Sequence, residues 1–208
     1  KGNWAIITVP SIQVNVERTE PAKALIQNVF PGLTLLGEEY IDPNQPVRDQ
    51  AFNFARRWIT KYGDKLDVIF SSWDGGAKAA ANAIEQAGYT NDQIFTIGID
   101  GGSETWSMIR KGTPFVASFA QPFELYDHVT FEIINQLQIQ GLNPGDQGCL
   151  IQRYGQTIYE TGRLVTRENV PQPGQSVHAV FDYYGGNPND PNAWYNWPEA
   201  GGPYQVGQ

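Results

Sequence analysis

One cysteine, one methionine and two histidines in 208 residues leave this chain short of the side chains that most often carry redox and metal chemistry. Cys149 has no second thiol to pair with, so an intramolecular disulfide and a Cys-built zinc cluster are both excluded. Such sparing use of cysteine suits an oxidising compartment. Charge is scarce as well: charged residues make up 17% of the chain, with a formal net charge of −8, against an ordinary share of about 25%. No segment gathers Lys and Arg, which removes the electrostatic footprint of phosphate-backbone binding and argues against nucleic acid as a partner of this chain. No apolar run approaches the roughly 20 residues of a membrane helix. A Walker phosphate loop, a His-Glu-x-x-His zinc motif and a Gly-x-Ser-x-Gly elbow are all missing. His128 and His178 stand apart in the sequence and read as surface or packing residues.

What is present is a regular alternation of apolar runs and helical patterns. Trp4 to Val9 reads as a buried strand ended by Pro10. Glu17 to Phe30 reads as a helix with Ala22, Leu25, Ile26 and Val29 on one face and Pro21 tolerable only near its first turn. Strands come next at Leu33 to Ile41, Leu66 to Ser71, Ile94 to Ile99 and Phe115 to Ala120. Between them lie helices at Pro46 to Tyr62, Gly75 to Ala87 and Ser103 to Lys111. In the first of these Phe54, Trp58 and Ile59 point inward, and Gly88 and Gly112 sit as C-terminal caps of the other two. This is the pattern of an α/β fold: a doubly wound, mostly parallel sheet with helices on both faces. Phe123 to Gln140 is the longest helix, and Leu150 to Thr166 holds strand-like alternation.

From Pro171 onward the composition changes to Pro, Gly pairs and aromatics, among them Tyr183, Tyr184, Trp194 and Trp197. A disordered tail is poor in aromatics, so this stretch is expected to drape over the domain, with His178 to Phe181 as a short strand. The organisation predicted is therefore a ligand-binding lobe over 1–120, a returning helix and final strand over 121–170, and an irregular tail over 171–208.

Ligands of open α/β sheets bind outside the carboxyl ends of the strands. The polar and aromatic residues falling there are Pro10 to Asn15, Ser72-Trp73-Asp74, Asp100 and Gln121. Trp73 offers a flat apolar face of the kind that stacks on the C–H side of a sugar ring. Asp100 offers two oxygens for neighbouring hydroxyls, with the added strength of a charged acceptor. Gln121 both donates and accepts, as a hydroxyl does. Each has a plainer role open to it. Asp74 is well placed as a helix N-cap, Asp100 as a turn residue before Gly101, Gln121 as a cap and Trp73 as packing; their shared rim is what raises them together. Arg18 lies near the same rim, beside a solvated Glu17. The oxygen-rich cluster Asn187, Asn189, Asp190, Asn192 fails the EF-hand spacing, and no metal or cofactor is expected.

Four stretches carry a likeness: Asp67 to Ala77 (DVIFSSWDGGA), Thr96 to Gly101 (TIGIDG), Ala117 to Gln121 (ASFAQ) and Leu164 to Asn169 (LVTREN). In this order they resemble the type I periplasmic sugar-binding proteins of ABC transporters, whose ligand-binding fold is shared with the effector domains of LacI-type repressors. The resemblance implies two α/β lobes closing on a sugar about a hinge, of which this chain is the second lobe and the segments after it. It places sugar contacts at Trp73 (where the family often has Asn), Asp100 and Gln121, and a structural role first at Asp74. The Arg that family members carry before the first helix falls at Val16 or Arg18, which makes Arg18 the candidate. It further implies that the helix after Gln121 packs on the other lobe, so that Phe123, Val129, Ile133, Ile134 and Leu137 need cover from a missing segment, a neighbouring copy or the aromatic tail.

The expectation is thus a non-enzymatic, extracytoplasmic solute-binding protein, periplasmic or extracellular and membrane-associated if lipid-anchored, seen as a fragment. Its partners would be a sugar or polyol, the membrane permease of an ABC importer and the missing N-terminal lobe of the same protein. A LacI-type effector domain or a sugar-sensing receptor module fits the same residues. A doubly wound enzyme using Asp74 or Asp100 as acid or base lacks a catalytic partner for either.

Overall fold

The computed structural model describes residues 1–151 and 162–173, without the side chains of Glu124, Leu125 and His128. The short strand expected at His178 to Phe181, the draped aromatic tail and the oxygen-rich cluster at 187–192 lie outside the described residues.

The elements in chain order are β1 (Gly2–Thr8), α1 (Gln13–Val29), β2 (Leu33–Tyr40), α2 (Val47–Tyr62), β3 (Val68–Ser71), α3 (Asp74–Gln86), β4 (Phe95–Asp100), α4 (Ser103–Lys111), β5 (Phe115–Ala120), α5 (Phe123–Ile134) and β6 (Arg163–Val165). A 3-10 turn (Gly63–Lys65) precedes β3, and a π-helical stretch (Asn135–Ile139) comes after α5. The sheet order is β2-β1-β3-β4-β5-β6, and the pairs from β2 to β5 are all parallel. This is the α/β arrangement that the alternation predicts.

Two compact units make up the protein: Lys1–Ala120 with Leu164–Gln172, and Gln121–Arg163 with Pro173–Gln208. In the first unit α2 and α3 cover one sheet face. Ala5, Ile7, Ile69, Ala55, Ala80 and Ile84 are completely buried in one cluster with Trp58 and Ile59. The buried alanines of α3 let that helix lie close to the strands. Gly98 permits the same approach from below, since a Cβ there would stand 2.5 Å from Asp74 Oδ1 and 3.0 Å from Ala77 Cβ. Gly88 and Gly112 adopt the left-handed φ of +83° and +71° that ends a helix.

Helix α1 departs from expectation in three ways. It starts at Gln13 rather than Glu17, with Ile12 before it giving no side-chain cap. Pro21 consequently lies inside the helix rather than in its first turn. Its buried residues are Asn15 and Thr19, while Leu25 and Val29 are more than half exposed, because no other element of the first unit covers that side. In the second unit, α5 leaves Phe123, Phe131 and Ile134 exposed and Val129 and Ile133 half-buried, and Leu137 in the π-helical stretch after it is half-buried too. The described residues of the unit therefore do not supply the cover expected for this helix. Gln136 anchors that unit: it accepts a hydrogen bond from the backbone N–H of Leu150 at 2.7 Å, beside the buried Cys149.

Candidate ligand-binding rim

The carboxyl ends of β1, β3 and β4 place three loops side by side. Ser72 sits directly after β3, its N–H donating to the Ile7 carbonyl at 3.0 Å. Arg18, on the first turns of α1, reaches across. Its Nη1 donates to the Ser72 carbonyl at 2.8 Å, and its Nη2 pairs with Asp100 Oδ1 at 3.0 Å. One guanidinium thus ties the β1–α1, β3–α3 and β4–α4 connections together, as its forked donors allow. The two side chains are 15% and 29% exposed, so the pair faces the rim without being fully solvated.

Asp100 has a φ of +134°, the one described non-glycine residue with positive φ. Backbone in this sparsely populated region costs on the order of 1–3 kcal/mol and persists where its surroundings fix it. Gly101 comes next at φ +87°, where a Cβ would strike Trp106 at 2.7 Å. The β4–α4 turn is therefore tightly specified, and it presents Asp100 at the edge of the sheet.

Asp74 does not cap α3. The N-cap position is Trp73, without a side-chain cap bond, and Asp74 is the first helical residue. Its carboxylate turns inward instead: Oδ2 accepts from the Gly101 N–H at 2.9 Å and the Thr105 hydroxyl at 2.7 Å, while Oδ1 accepts from the Ser118 hydroxyl at 2.7 Å. Burial pushes its pKa above the ordinary 3.8; the three hydrogen bonds oppose that shift and the Asp100 charge adds to it. Asp74 is thus a structural hub joining α3, the β4–α4 turn and β5, which corrects the N-cap expectation.

Trp73 is half-buried against the core cluster. With Asp74, Asp100, Gly101 and Gly102 it lines a cleft of about 530 Å³ that also takes in Val47, Arg48, Lys78 and Glu104. Lys78 and Glu104 form an ion pair across it, and Lys78 holds the Glu104 carboxyl below its usual range. Arg48 and this pair were not expected from the sequence; their only signal was a position in the first turns of helices that begin at the rim. Beneath the rim, Thr8 Oγ1, Asn15 Oδ1 and Ser72 Oγ are buried without a hydrogen-bond partner among the described residues. Gln121 comes directly after β5 and belongs to the second unit, where its side chain is half-buried. The structure therefore brings Arg18, Trp73, Asp74 and Asp100 together in one unit. Among the described residues no cluster suits a metal ion, and no helix is long and apolar enough to cross a membrane.

Residues 1–138 match the family described as periplasmic binding protein domain. Among solved structures, the protein is similar to an arabinose binding protein from Geobacillus stearothermophilus (19% identity, TM-score 0.67), with 82% of this chain and 56% of that one covered. It is also similar to an ABC transporter solute binding protein from Agrobacterium vitis with bound allitol (22% identity, TM-score 0.65, 82% and 55% covered). A Caulobacter myo-inositol binding protein bound to myo-inositol gives 21% identity and a TM-score of 0.65, with 81% and 52% covered. The chain thus spans a little over half the length of these structures. No curated protein sequence matches it.

Proposed function

We propose that this chain, which belongs to the periplasmic binding protein domain family, is the sugar- or polyol-binding lobe of an extracytoplasmic solute-binding protein that serves an ABC importer. The family is one of binding proteins, and the similar structures are named as binding proteins rather than enzymes. The observation that carries the reading is the Arg18–Asp100 pair set beside Trp73 on one rim. It joins a charged acceptor for hydroxyls to an apolar face for ring C–H groups, the mixture that a sugar demands. Asp100 and Trp73 take the ligand directly, Arg18 fixes and part-neutralises Asp100, and Asp74 holds the turn that carries it.

The mechanism is hinge closure. A ligand that touches two lobes favours the closed state by the difference in its contacts with the two states, and the permease reads that state. The second lobe would come from the remainder of the protein. The match covers 56% and 55% of the similar structures, and the apolar side of α5 is a surface that such a lobe would cover.

Two measurements test this. Calorimetry of the chain alone with arabinose, allose and myo-inositol is expected to show weak or no binding, since half the contacts are absent; micromolar affinity would overturn the half-clamp. A thermal-shift screen of the two-lobed protein is expected to find a stabilising sugar or polyol. Replacing Asp100 by Ala there should weaken binding by about 10–100-fold, the worth of one charge-assisted hydrogen bond. An unchanged affinity would remove Asp100 from the site.

A further inference from the structure

Two glycines open α3, at Gly75 and Gly76. Glycine is the poorest helix former after proline, and neither residue has the positive φ that would call for it. The reason is space. A Cβ on Gly75 would stand 2.5 Å from Trp73 Nε1 and 3.0 Å from its Cδ1, and its three nearest atoms all belong to that indole. A Cβ on Gly76 would meet Trp73 Cη2 at 2.8 Å and Cζ3 at 2.9 Å, besides Ser71 Oγ at 2.3 Å. The five-membered ring of Trp73 therefore lies against residue 75 and the six-membered ring against residue 76. The indole is laid along the first turn of its own helix, in the volume that two side chains would otherwise fill.

The backbone beneath it is pinned as well, by the bonds of Ser72 to Ile7 and of Arg18 to Ser72. Trp73 is thus a fixed plate on the wall of the 530 Å³ cleft, beside Asp100. A plate held in one rotamer before the ligand arrives gives up no side-chain entropy when a ring stacks on it. An acyclic polyol offers no contiguous apolar face to stack and must itself be ordered.

We propose that Gly75 and Gly76 are positioning residues that seat Trp73, and that the seated indole makes the site select cyclic ligands with an apolar C–H face, a pyranose or a cyclitol, over acyclic polyols. The selectivity rests on the sugar-binding reading above; the seat does not. The seat is tested by a double-mutant cycle in chemical denaturation with Gly75→Ala, Trp73→Ala and the double variant. Gly75→Ala is expected to destabilise the protein when Trp73 is present and to stabilise it when Trp73 is Ala, where only helix propensity remains. A stabilising or neutral Gly75→Ala in the presence of Trp73 overturns the seat. Gly75 is the better probe because Gly76→Ala would also press on Ser71.

Selectivity is tested by following indole N–H resonances of the two-lobed protein, with Trp73 assigned by its loss in Trp73→Phe, during titration with galactose, myo-inositol and the acyclic polyol sorbitol into the tens of millimolar. The cyclic compounds are expected to move the Trp73 signal and to bind several-fold more tightly than sorbitol. In Gly75→Ala that ratio should fall toward one. Equal response to sorbitol, or a ratio unchanged in Gly75→Ala, overturns the selectivity while leaving the sugar-binding reading intact. Silence of every resonance with every compound overturns the sugar-binding reading and the selectivity with it, and the stability cycle still decides the seat.

Discussion

Ile69 of β3 and Ile97 of β4 are the same residue in neighbouring strands, yet they face opposite sides of the sheet and meet different surroundings. Ile69 is completely buried beneath α2 and α3. Ile97, in register with Phe70, is half-buried and borders an apolar hollow of about 310 Å³ lined also by Trp4, Ile26, Val68 and Phe95. On that second face, among the described elements of the first unit, α1 alone lends helical residues to the hollow, Ala22 and Ile26, and Leu33, Leu35 and Phe119 stay about 40% exposed. Parallel sheets are ordinarily covered on both faces. The contrast teaches that this unit's stability is concentrated on one side, under α2 and α3, while the other side carries apolar surface that the described residues leave open to water.

The sharpest test exchanges each isoleucine for alanine. Ile69→Ala is expected to cost about 3–4 kcal/mol in chemical denaturation, the range for a fully buried large-to-small change with a cavity left behind. Ile97→Ala should cost roughly 1 kcal/mol, because less apolar area returns to water. Equal losses would erase the distinction between the faces.

The Asp74 hub belongs to the covered side, and its effect is smaller and dependent on pH. Asp74→Asn keeps the shape, and its single oxygen can still accept from the Gly101 N–H and the Thr105 hydroxyl, but the amide nitrogen standing in for Oδ1 cannot accept from the Ser118 hydroxyl, which should cost about 1–3 kcal/mol at neutral pH. The carboxyl's pKa is raised in the fold, so the native state binds the proton more readily than the unfolded chain. The stability contributed by this protonation is fully present below the ordinary value of 3.8 and is lost as pH rises through the raised folded value. Wild type compared with Asp74→Asn across that acid range should therefore lose part of its advantage as pH rises. A difference that grows with pH would mean that hydrogen bonding, not burial, governs the group.

These partners explain which parts of the molecule are legible in its sequence. The strand and helix order follows from local periodicity and turn residues, and β5 and α4 fall where those signals put them. The start of α1 carries no cap to announce it, so the sequence places Pro21 a turn too close to the helix's beginning. Leu25 and Val29 have helical spacing, but spacing cannot say whether anything covers the stripe. Asp74 carries a sound capping signal and still does something else, because its partners are 27, 31 and 44 residues away. Arg18 is likewise defined by a carbonyl 54 residues on. The rim as a location was readable; the bonds that arrange it are long-range and were not.

The smallest effect is expected on the open face. Phe119 is 43% exposed at the end of β5, in register with Ile99 of β4. Replacing it by Ser removes a side chain that is only partly desolvated, so the change in unfolding free energy should stay within about 0.5–1 kcal/mol. The larger response should appear in solution behaviour, since exposed apolar patches drive association. Phe119→Ser should lower binding of a hydrophobic dye and self-association on sizing chromatography at unchanged fold. If the substitution instead costs as much as Ile69→Ala, Phe119 is buried in solution by something the isolated protein recruits, and the two faces are closer to equal than their exposures suggest.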